Sequence, residues 1–419
     1  MMSKKILMMT ASLLAFQGDV HGFSSKPDLM ISGETTATFL TLDQPAGVRQ
    51  GKGLGHGFLF NGHIDFKAQG QAQDVYYQAV IGLTADSNPG DVGQKSSVQK
   101  SYIELKTPQQ GTLQIGNASS LPSKLGRGVS KVLGGSKGWN GTFYDVIAKP
   151  SGTVIPDRLS SDPGFATGVS WVSPERKGFK VGLGFVPNTT HRGLDKLRDN
   201  QNFNGNKSAI YENSQEAFQK RNKNDCRDPS EGSYDLNSVS LGMSYDYAHS
   251  DDFEASCSIV GLSGRSKPRH YEETLQINHT RAYQIGLDLS FKNIDFGATY
   301  TNNLQSRIAK NSNNGWSDGK YDAGQVSSMA VAYNYGPFKI SGGFSHGQKQ
   351  FGVQKTFSNV RTVALDYVMI PGWKMSAEYD YATLKTCSRA LEIAKSTFDQ
   401  SEVQNNRPRT LMISTSISF

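Results

Sequence analysis

The chain ends on the eleven residues RTLMISTSISF, Arg409–Phe419, and this stretch decides the fold. Its larger or more apolar side chains take every second position: Leu411, Ile413, Thr415, Ile417 and Phe419. The positions between them carry Thr410, Met412, Ser414, Ser416 and Ser418. A period of two residues is typical of a β-strand, whose successive side chains point to opposite faces. The stretch therefore predicts a strand with one apolar face.

A terminal strand of this kind, ending on a phenylalanine, resembles the closing strand of Gram-negative outer-membrane barrels. The resemblance implies that Phe419 and Ile417 form an assembly signal. It also implies that the barrel assembly machinery is a partner. The upstream sequence is then expected to supply further strands of the same wall.

Composition supports a strand-built membrane protein. The 419 residues include 44 glycines, 17 tyrosines and 21 phenylalanines, and the mean hydropathy is −0.48. Beyond the N-terminus no apolar run approaches the roughly 18 residues of a membrane helix. The length fits two or three ordinary domains or one large barrel. Strands with lipid on one side and water on the other would reconcile many aromatic residues with low hydropathy.

The first 22 residues predict a secretory signal peptide. Lys4 and Lys5 precede a short apolar segment, Ile6–Phe16, and small residues favour cleavage after Gly22. The alternative is a buried helix at the start of a cytosolic fold. The formal net charge of +7 falls to about +6 after cleavage. That charge, without a basic cluster, predicts no nucleic-acid partner.

Cysteine and histidine patterns predict no metal site, cofactor or enzymatic activity. Cys226, Cys257 and Cys387 have no metal-ligand spacing and form no disulfide framework. Cys257 falls in an alternating segment as a small apolar filler, whereas the other two lie in polar loops. They either pair with each other or remain free thiols. The histidines show no paired spacing, and no nucleophile-elbow or P-loop motif occurs.

Sixteen alternating segments follow the signal peptide. They are Leu29–Leu42, His56–Lys67, Val75–Leu83, Ser97–Lys106, Thr112–Gly116, Phe165–Val172, Gly178–Val186, Tyr234–Tyr247, Phe253–Leu262, Arg281–Phe291, Ile294–Thr301, Gln325–Tyr335, Phe338–His346, Thr356–Met369, Trp373–Leu384 and Arg409–Phe419.

The connections between these segments alternate strictly between short and long, and aromatic residues border the short ones. In an up-and-down barrel this places all short turns at one rim and all long loops at the other. Aromatic rings at one level form an interfacial girdle. The predicted fold is therefore an all-β, transmembrane, antiparallel up-and-down barrel with short periplasmic turns and long external loops. About sixteen strands enclose an aqueous channel.

The run SYIELKTPQQGTLQIGN, Ser101–Asn117, resembles a hairpin of the trimeric general porins of the Gram-negative outer membrane. The resemblance implies a homotrimer, and the first five strands, poorer in tyrosine and tryptophan at their turns, are its expected interface. It also implies that the third long loop, residues 117–164, folds into the lumen as a constriction. Residues 187–233 are expected to form a long external loop.

The expected constriction is rich in basic residues. The candidate residues are Lys124, Arg127, Lys131, Lys137, Asp145, Lys149 and Arg158. A basic ring in a pore favours anions. The acidic segment of many porin constrictions is absent, and the nearest stretch runs from Gly138 to Asp145. The alternative is that these lysines face lipopolysaccharide or solvent. Alternation also places four candidate residues on the pore wall: His63, Asp65, Glu104 and Lys106.

These features predict an outer-membrane porin for passive diffusion of small hydrophilic solutes and ions, with outer-membrane lipid and lipopolysaccharide as surroundings. Two alternatives stay open. One is a structural or adhesive barrel acting through its external loops, Pro187–Ser233 and Lys385–Pro408. The other is a lipase-type barrel, which requires a serine and a histidine close together outside the wall.

Overall fold

The computed structural model describes residues 27–44, 55–87, 95–147, 159, 162, 164–189, 234–250, 252–267, 277–306, 322–351, 354–385 and 405–419. The main strands are β1 (Asp28–Asp43), β2 (His56–Ala72), β3 (Val75–Ser87), β4 (Lys95–Thr107), β5 (Gly111–Asn117), β6 (Thr167–Val172), β7 (Phe179–Asn188), β8 (Tyr234–Ser250), β9 (Phe253–Lys267), β10 (Thr280–Phe291), β11 (Ile294–Asn302), β12 (Asp322–Tyr335), β13 (Phe338–Phe351), β14 (Gln354–Ile370), β15 (Trp373–Lys385) and β16 (Arg409–Ser418). A two-residue pairing, Asn405–Asn406, extends the contact with β15 just before β16.

The sixteen strands close into an antiparallel barrel, as predicted. Each strand pairs with the next along the chain, and β16 pairs with β1 from Glu34↔Ser418 to Asp43↔Arg409. The last residue joins this seam: the Phe419 N–H donates to the Gly33 carbonyl at 3.0 Å, and the Gly33 N–H donates back at 2.9 Å. A closed wall has no unpaired edge, so its backbone polar groups are satisfied within the sheet.

The two faces of the wall differ as the alternation predicts. On β16, Leu411 and Ile413 are exposed outward, whereas Thr410 and Met412 are buried toward the interior. Nine of the aromatic residues expected near the short turns are exposed on the outer face: Phe179, Tyr245, Tyr247, Phe291, Tyr333, Tyr335, Phe338, Tyr367 and Trp373. Rings in this position suit the membrane interface.

The turns at the aromatic rim are tight. Only Lys292 and Asn293 connect β10 to β11, and only Gly336 and Pro337 connect β12 to β13. Lys292 has φ 53° and Gly336 has φ 56°. Positive φ at the first turn residue matches the twist of two-residue hairpins.

One part of the loop prediction is wrong. The sequence suggests a polar loop between His346 and Thr356, but β13 continues to Phe351 and β14 begins at Gln354, with these two residues paired. Only two residues separate the strands. Short and long connections therefore do not alternate strictly around the barrel.

Several predictions fall on residues outside the described ranges: the signal peptide, residues 190–233, and the thiols of Cys226 and Cys387. Cys257 lies on β9 and is a free, exposed thiol on the outer face rather than a packed filler. Within the described ranges, no helix combines the length and the apolar character needed to cross a membrane.

Candidate functional site

The residues Ala118–Ile147 between β5 and β6, here called the lumen loop, pack against the inner face of the wall. They contain three short helices, α1 (Leu121–Leu125), α2 (Val129–Val132) and α3 (Thr142–Val146), and a 3-10 turn at Gly138–Asn140. Helix α1 begins where the Ser123 N–H donates to the Ser120 side chain at 3.3 Å. Ser120 is a favourable N-cap, and Pro122 is tolerated in the first turn.

An apolar side attaches the lumen loop to the wall. The buried loop side chains are Leu121, Leu125, Val129, Val132, Leu133, Trp139, Phe143 and Ile147. The larger part of this set forms one cluster with inward residues of β1, β2, β12, β14, β15 and β16: Leu40, Leu42, Leu59, Ala330, Ala332, Val360, Ala382, Leu384 and Met412. Burial of this much apolar surface holds the loop at the wall.

Glycines in the wall make room for the loop. A Cβ at Gly182 on β7 would lie 2.5 Å from Leu121 Cδ1. A Cβ at Gly343 on β13 would lie 2.8 Å from Trp139 Cη2. Both distances are shorter than real carbon contacts, so the absence of a side chain at these positions lets the loop pack closely.

Acidic side chains of the wall hold the backbone of the lumen loop. The Gly128 N–H donates to Asp288 Oδ1 on β10 at 2.6 Å, and the Gly135 N–H donates to Asp366 Oδ1 on β14 at 2.8 Å. The Ser136 N–H and hydroxyl donate to the two oxygens of Glu378 on β15, at 2.5 and 2.7 Å. Hydrogen bonds to ionised acceptors are stronger than neutral ones.

Serine and threonine hydroxyl groups on the strands between these acids also accept hydrogen bonds from the loop backbone. The backbone N–H groups of Arg127, Val129 and Gly134 donate to Ser258 Oγ, Thr299 Oγ1 and Ser341 Oγ, at 2.9, 3.1 and 2.9 Å. These acceptors lie on β9, β11 and β13. The loop thus follows the inner wall from β8 to β15.

Arg127 adds the one side-chain ion pair between the described lumen loop and β8. Its Nη2 lies 2.9 Å from each oxygen of Asp246. Lys180 Nζ, 3.2 Å from Asp246 Oδ2, shares this carboxylate. Arg127 was predicted to be one of the basic residues of the constriction. In the structure its guanidinium pairs with a carboxylate of the barrel wall.

The other predicted bases occupy different environments. Lys124 Nζ donates to Ser170 Oγ at 2.6 Å, and burial, opposed in part by Glu104, lowers the pKa of Lys124 to about 8. Lys131 is 53% exposed and its Nζ lies 3.8 Å from Asp288 Oδ2. Burial, followed by the nearby Arg127 charge, lowers the pKa of Lys131.

Lys137 is exposed on the lumen loop. The side chain of Asp145 and the whole of Lys149 and Arg158 lie outside the described residues. The structure therefore brings Lys124, Arg127, Lys131 and Lys137 into one loop segment. The ring of bases expected from the sequence stays a prediction.

The predicted pore-wall residues lie on β2 and β4 and face inward. Asp65 pairs with Lys100 at 2.9 Å. Glu104 accepts hydrogen bonds from the side-chain amides of Gln78 and Gln114. His63 and Lys106 follow the same alternation. The partners Lys100, Gln78 and Gln114 are not apparent from the sequence. Gln78 and Gln114 lie directly opposite Glu104 on the adjacent strands, so cross-strand register identifies them. Lys100 reaches Asp65 across Gly82 of β3, which register alone does not reveal.

The predicted assembly residues are on the outer face. Phe419 is 64% exposed and Ile417 is also exposed. The Phe419 ring lies beside Gly33, since a Cβ there would be 2.9 Å from Phe419 Cζ. The aromatic ring is thus accessible at the seam between β1 and β16.

A closed barrel of sixteen strands with an apolar outer band and a polar interior defines a β-barrel channel protein of the outer membrane. The chain belongs to the Gram-negative porin family, whose profile matches residues 6–386.

Relatives occur in Rickettsia. The uncharacterized protein RP068 of Rickettsia prowazekii (strain Madrid E) is 22% identical over 333 residues, which cover 69% of this chain and 71% of that protein. The uncharacterized protein RC0098 of Rickettsia conorii (strain ATCC VR-613 / Malish 7) is 23% identical over 330 residues, covering 68% and 69%.

Solved structures that share the fold include the following three. The outer membrane channel DcaP of Acinetobacter baumannii superimposes with a TM-score of 0.55 at 10% identity, covering 95% of this chain and 99% of DcaP. A loop L8 deletion mutant of OmpT, an outer membrane protein of Vibrio cholerae, gives 0.54 at 12% identity, covering 94% and 100%. A mutant of the Rh. blastica porin gives 0.51 at 9% identity, covering 94% and 100%.

Proposed function

We propose that the protein is a water-filled channel for passive diffusion of small hydrophilic solutes and ions across the outer membrane, with a preference for anions. The observation that carries the proposal is the attachment of the lumen loop to the inner wall from β8 to β15. A loop in that place narrows the passage without closing it, and solutes are then selected by size at that level.

The charge distribution supports the anion preference. Asp246 on the wall is paired with Arg127 and Lys180, and Asp288 with Lys131, so basic side chains balance these two carboxylates. Glu378 accepts hydrogen bonds from neutral groups of the loop, which stabilise its charge without cancelling it. Lys131 and Lys137 remain exposed on the loop. Positive charge exposed to the water of a pore lowers the barrier for anion entry.

Single-channel recording in a planar bilayer tests the proposal. The refolded protein is expected to open in steps, and its reversal potential in a salt gradient is expected to have the anion sign. Joint substitution of Lys131→Gln and Lys137→Gln should reduce that preference. Lys292→Gln, in the tight β10–β11 turn, is the matched control and should leave it unchanged. Silence from folded, heat-modifiable protein would refute the channel and favour a structural or adhesive barrel.

The channel is proposed to act as a homotrimer that contacts itself through β1–β5 and is surrounded elsewhere by lipid and lipopolysaccharide. None of the nine exposed aromatic residues named above at the short turns lies on β1–β5, and this favours a protein-covered face there over a lipid-facing one. In a cysteine-free background, Ile81→Cys should cross-link between copies, whereas Met329→Cys, equally exposed on β12, should not. Equal cross-linking at both positions would contradict this interface. No enzymatic activity, cofactor or nucleic-acid partner is part of the proposal.

A further inference from the structure

Two aromatic rings depart from the rule that aromatic side chains of this barrel face outward. Among the Phe, Tyr and Trp side chains that the structure describes on the strands, only Tyr76 on β3 and Tyr102 on β4 alternate toward the lumen. Tyr76 is 50% exposed. An exposed ring in an aqueous lumen has no lipid to contact, so a role in contacting solutes would account for it.

Fixed polar groups lie between the two rings. Tyr76 is opposite Lys106, Gln78 is opposite Glu104, and Val80 is opposite Tyr102. The rings are therefore four residues apart along the strands, roughly 13 Å. Gln78 Nε2 donates to Glu104 Oε1 at 3.0 Å, and the Gln114 amide donates to the other oxygen. These two amides fix the orientation of the Glu104 carboxylate.

A cavity of about 630 Å³ opens at the end of this row nearest the β2–β3 turn. It is lined by Tyr76, Gln78, Glu104 and Lys106 of the row, and also by Asp28, Gln69, Gly70, Gln71 and Tyr77, while Tyr102 lies beyond it. Small-molecule sites have volumes of this order, with an apolar surface and a few oriented polar groups. The hydrogen bonds between the lumen loop and the wall acids lie at β8 to β15, whereas this row lies on β3 and β4. The row is therefore on a different part of the wall from those anchors.

We propose that Tyr102, Glu104, Gln78, Lys106 and Tyr76 form a track that binds neutral saccharides during their passage, and this rests on the channel function proposed above. A sugar ring has an apolar C–H face that packs on a tyrosine ring, and hydroxyl groups that both donate and accept hydrogen bonds. Glu104 supplies a fixed acceptor and Lys106 a donor. The distance between the rings suits a short oligosaccharide that contacts both.

Transient block of the open channel by maltotriose tests the track. In wild-type channels the sugar is expected to interrupt the ion current with resolvable dwell times. Tyr76→Ala and Tyr102→Ala should each shorten the dwell time about fivefold, the order expected for one aromatic contact. Tyr76→Phe should retain the block. Tyr333→Ala removes an exposed, outward-facing ring on β12, outside this cavity, and should have no effect on the block.

Other solutes and the sugar-free conductance distinguish failure of the track from failure of the channel. Polyethylene glycol of the same hydrodynamic size is expected to block only weakly. Equal block by polyethylene glycol, or dwell times unaffected by the loss of both lumen tyrosines, would overturn the track while the sugar-free conductance still supports the channel. Stronger block by glycylglycine than by maltotriose would also overturn it, since Glu104 and Lys106 would then select a zwitterion. Absence of any sugar-free conductance would overturn the channel itself.

Discussion

The guanidinium of Arg127 forms a salt bridge with the carboxylate of Asp246 on β8. Nη2 is 2.9 Å from both oxygens, and Nε is 3.1 Å from Oδ1. The pair joins the lumen loop to a strand 119 residues further along the chain. Both side chains are mostly shielded from water. Two-point hydrogen bonding of this kind fixes orientation as well as distance.

Arg127→Gln should loosen the lumen loop. The substitution removes a hydrogen-bonded pair to a charged group, with an expected loss on the order of 1–3 kcal/mol in the free energy of unfolding. Open-channel current noise is expected to rise because the loop samples more positions, and the heat-modification midpoint should fall. Arg176→Gln, in the turn before β7, is the control. Identical noise in the two variants would show that the pair does not hold the loop.

The anion preference should fall as pH rises through about 8. Burial lowers the pKa of Lys124 to about 8, so the side chain is charged below that pH and neutral above it. Loss of a positive charge in the lumen reduces the attraction for anions. The measurement is the reversal potential at pH 7 and at pH 9 in the same salt gradient.

Lys124→Met is expected to abolish that pH step. Lys137→Met, at an exposed position of the same loop, is expected to lower the preference at both pH values and to leave the step in place. A step of full size in Lys124→Met would assign the titration to another group, and Lys131, whose pKa burial also lowers, would be the next to replace.

Two adjacent glycines of β13 should respond differently to alanine. At Gly343 a Cβ would lie 2.8 Å from Trp139 Cη2 and 3.0 Å from Leu133 Cδ2, so overpacking should cost about 1–3 kcal/mol. At Gly342 the nearest atom, the Thr362 carbonyl oxygen, is 3.6 Å away. Gly343→Ala should lower the heat-modification midpoint and alter conductance, whereas Gly342→Ala should do neither. Equal effects would mean that the glycines matter only as part of the strand backbone.

Phe419→Ala should separate assembly in the cell from folding in vitro. The main-chain pair between Phe419 and Gly33 survives the substitution, because both hydrogen bonds involve backbone atoms. Refolding into detergent is therefore expected to remain near the wild-type yield, while the amount in the outer membrane falls several-fold if the exposed ring is recognised. Ile413→Ala, further up the same outer face, is the control. A parallel loss in detergent would assign the ring a structural role instead.

The sequence was sufficient to predict the strands of the barrel wall because the alternation of apolar and polar side chains along a strand is a local signal. The inward direction of Asp246, Asp288, Asp366 and Glu378 follows from their apolar neighbours alone. Alternation failed between His346 and Thr356, where the strands continue with polar residues such as Gln348 and Gln350 on the outer face. A strand with polar residues on both faces loses the period that identifies it.

The path of the lumen loop could not be derived in the same way. Its helices have only four or five residues, too few to show a helical period. The groups that hold it are far apart in the chain: Ser136 and Glu378 are separated by 242 residues. Alternation gives the wall acids an inward direction only, and nothing local to them shows that each accepts a hydrogen bond from one particular backbone N–H.

The wall acids bind the main chain of the lumen loop, through the N–H groups of Gly128, Gly135 and Ser136, and this leaves neighbouring side chains free to vary. A substitution at Ser130, Lys131 or Lys137 does not remove these anchors. Natural substitutions at such positions can therefore change which solutes pass without changing the course of the loop. For the same reason, the lumen-facing side chains of this loop can be exchanged in engineered variants without redesigning the hydrogen bonds that hold its backbone.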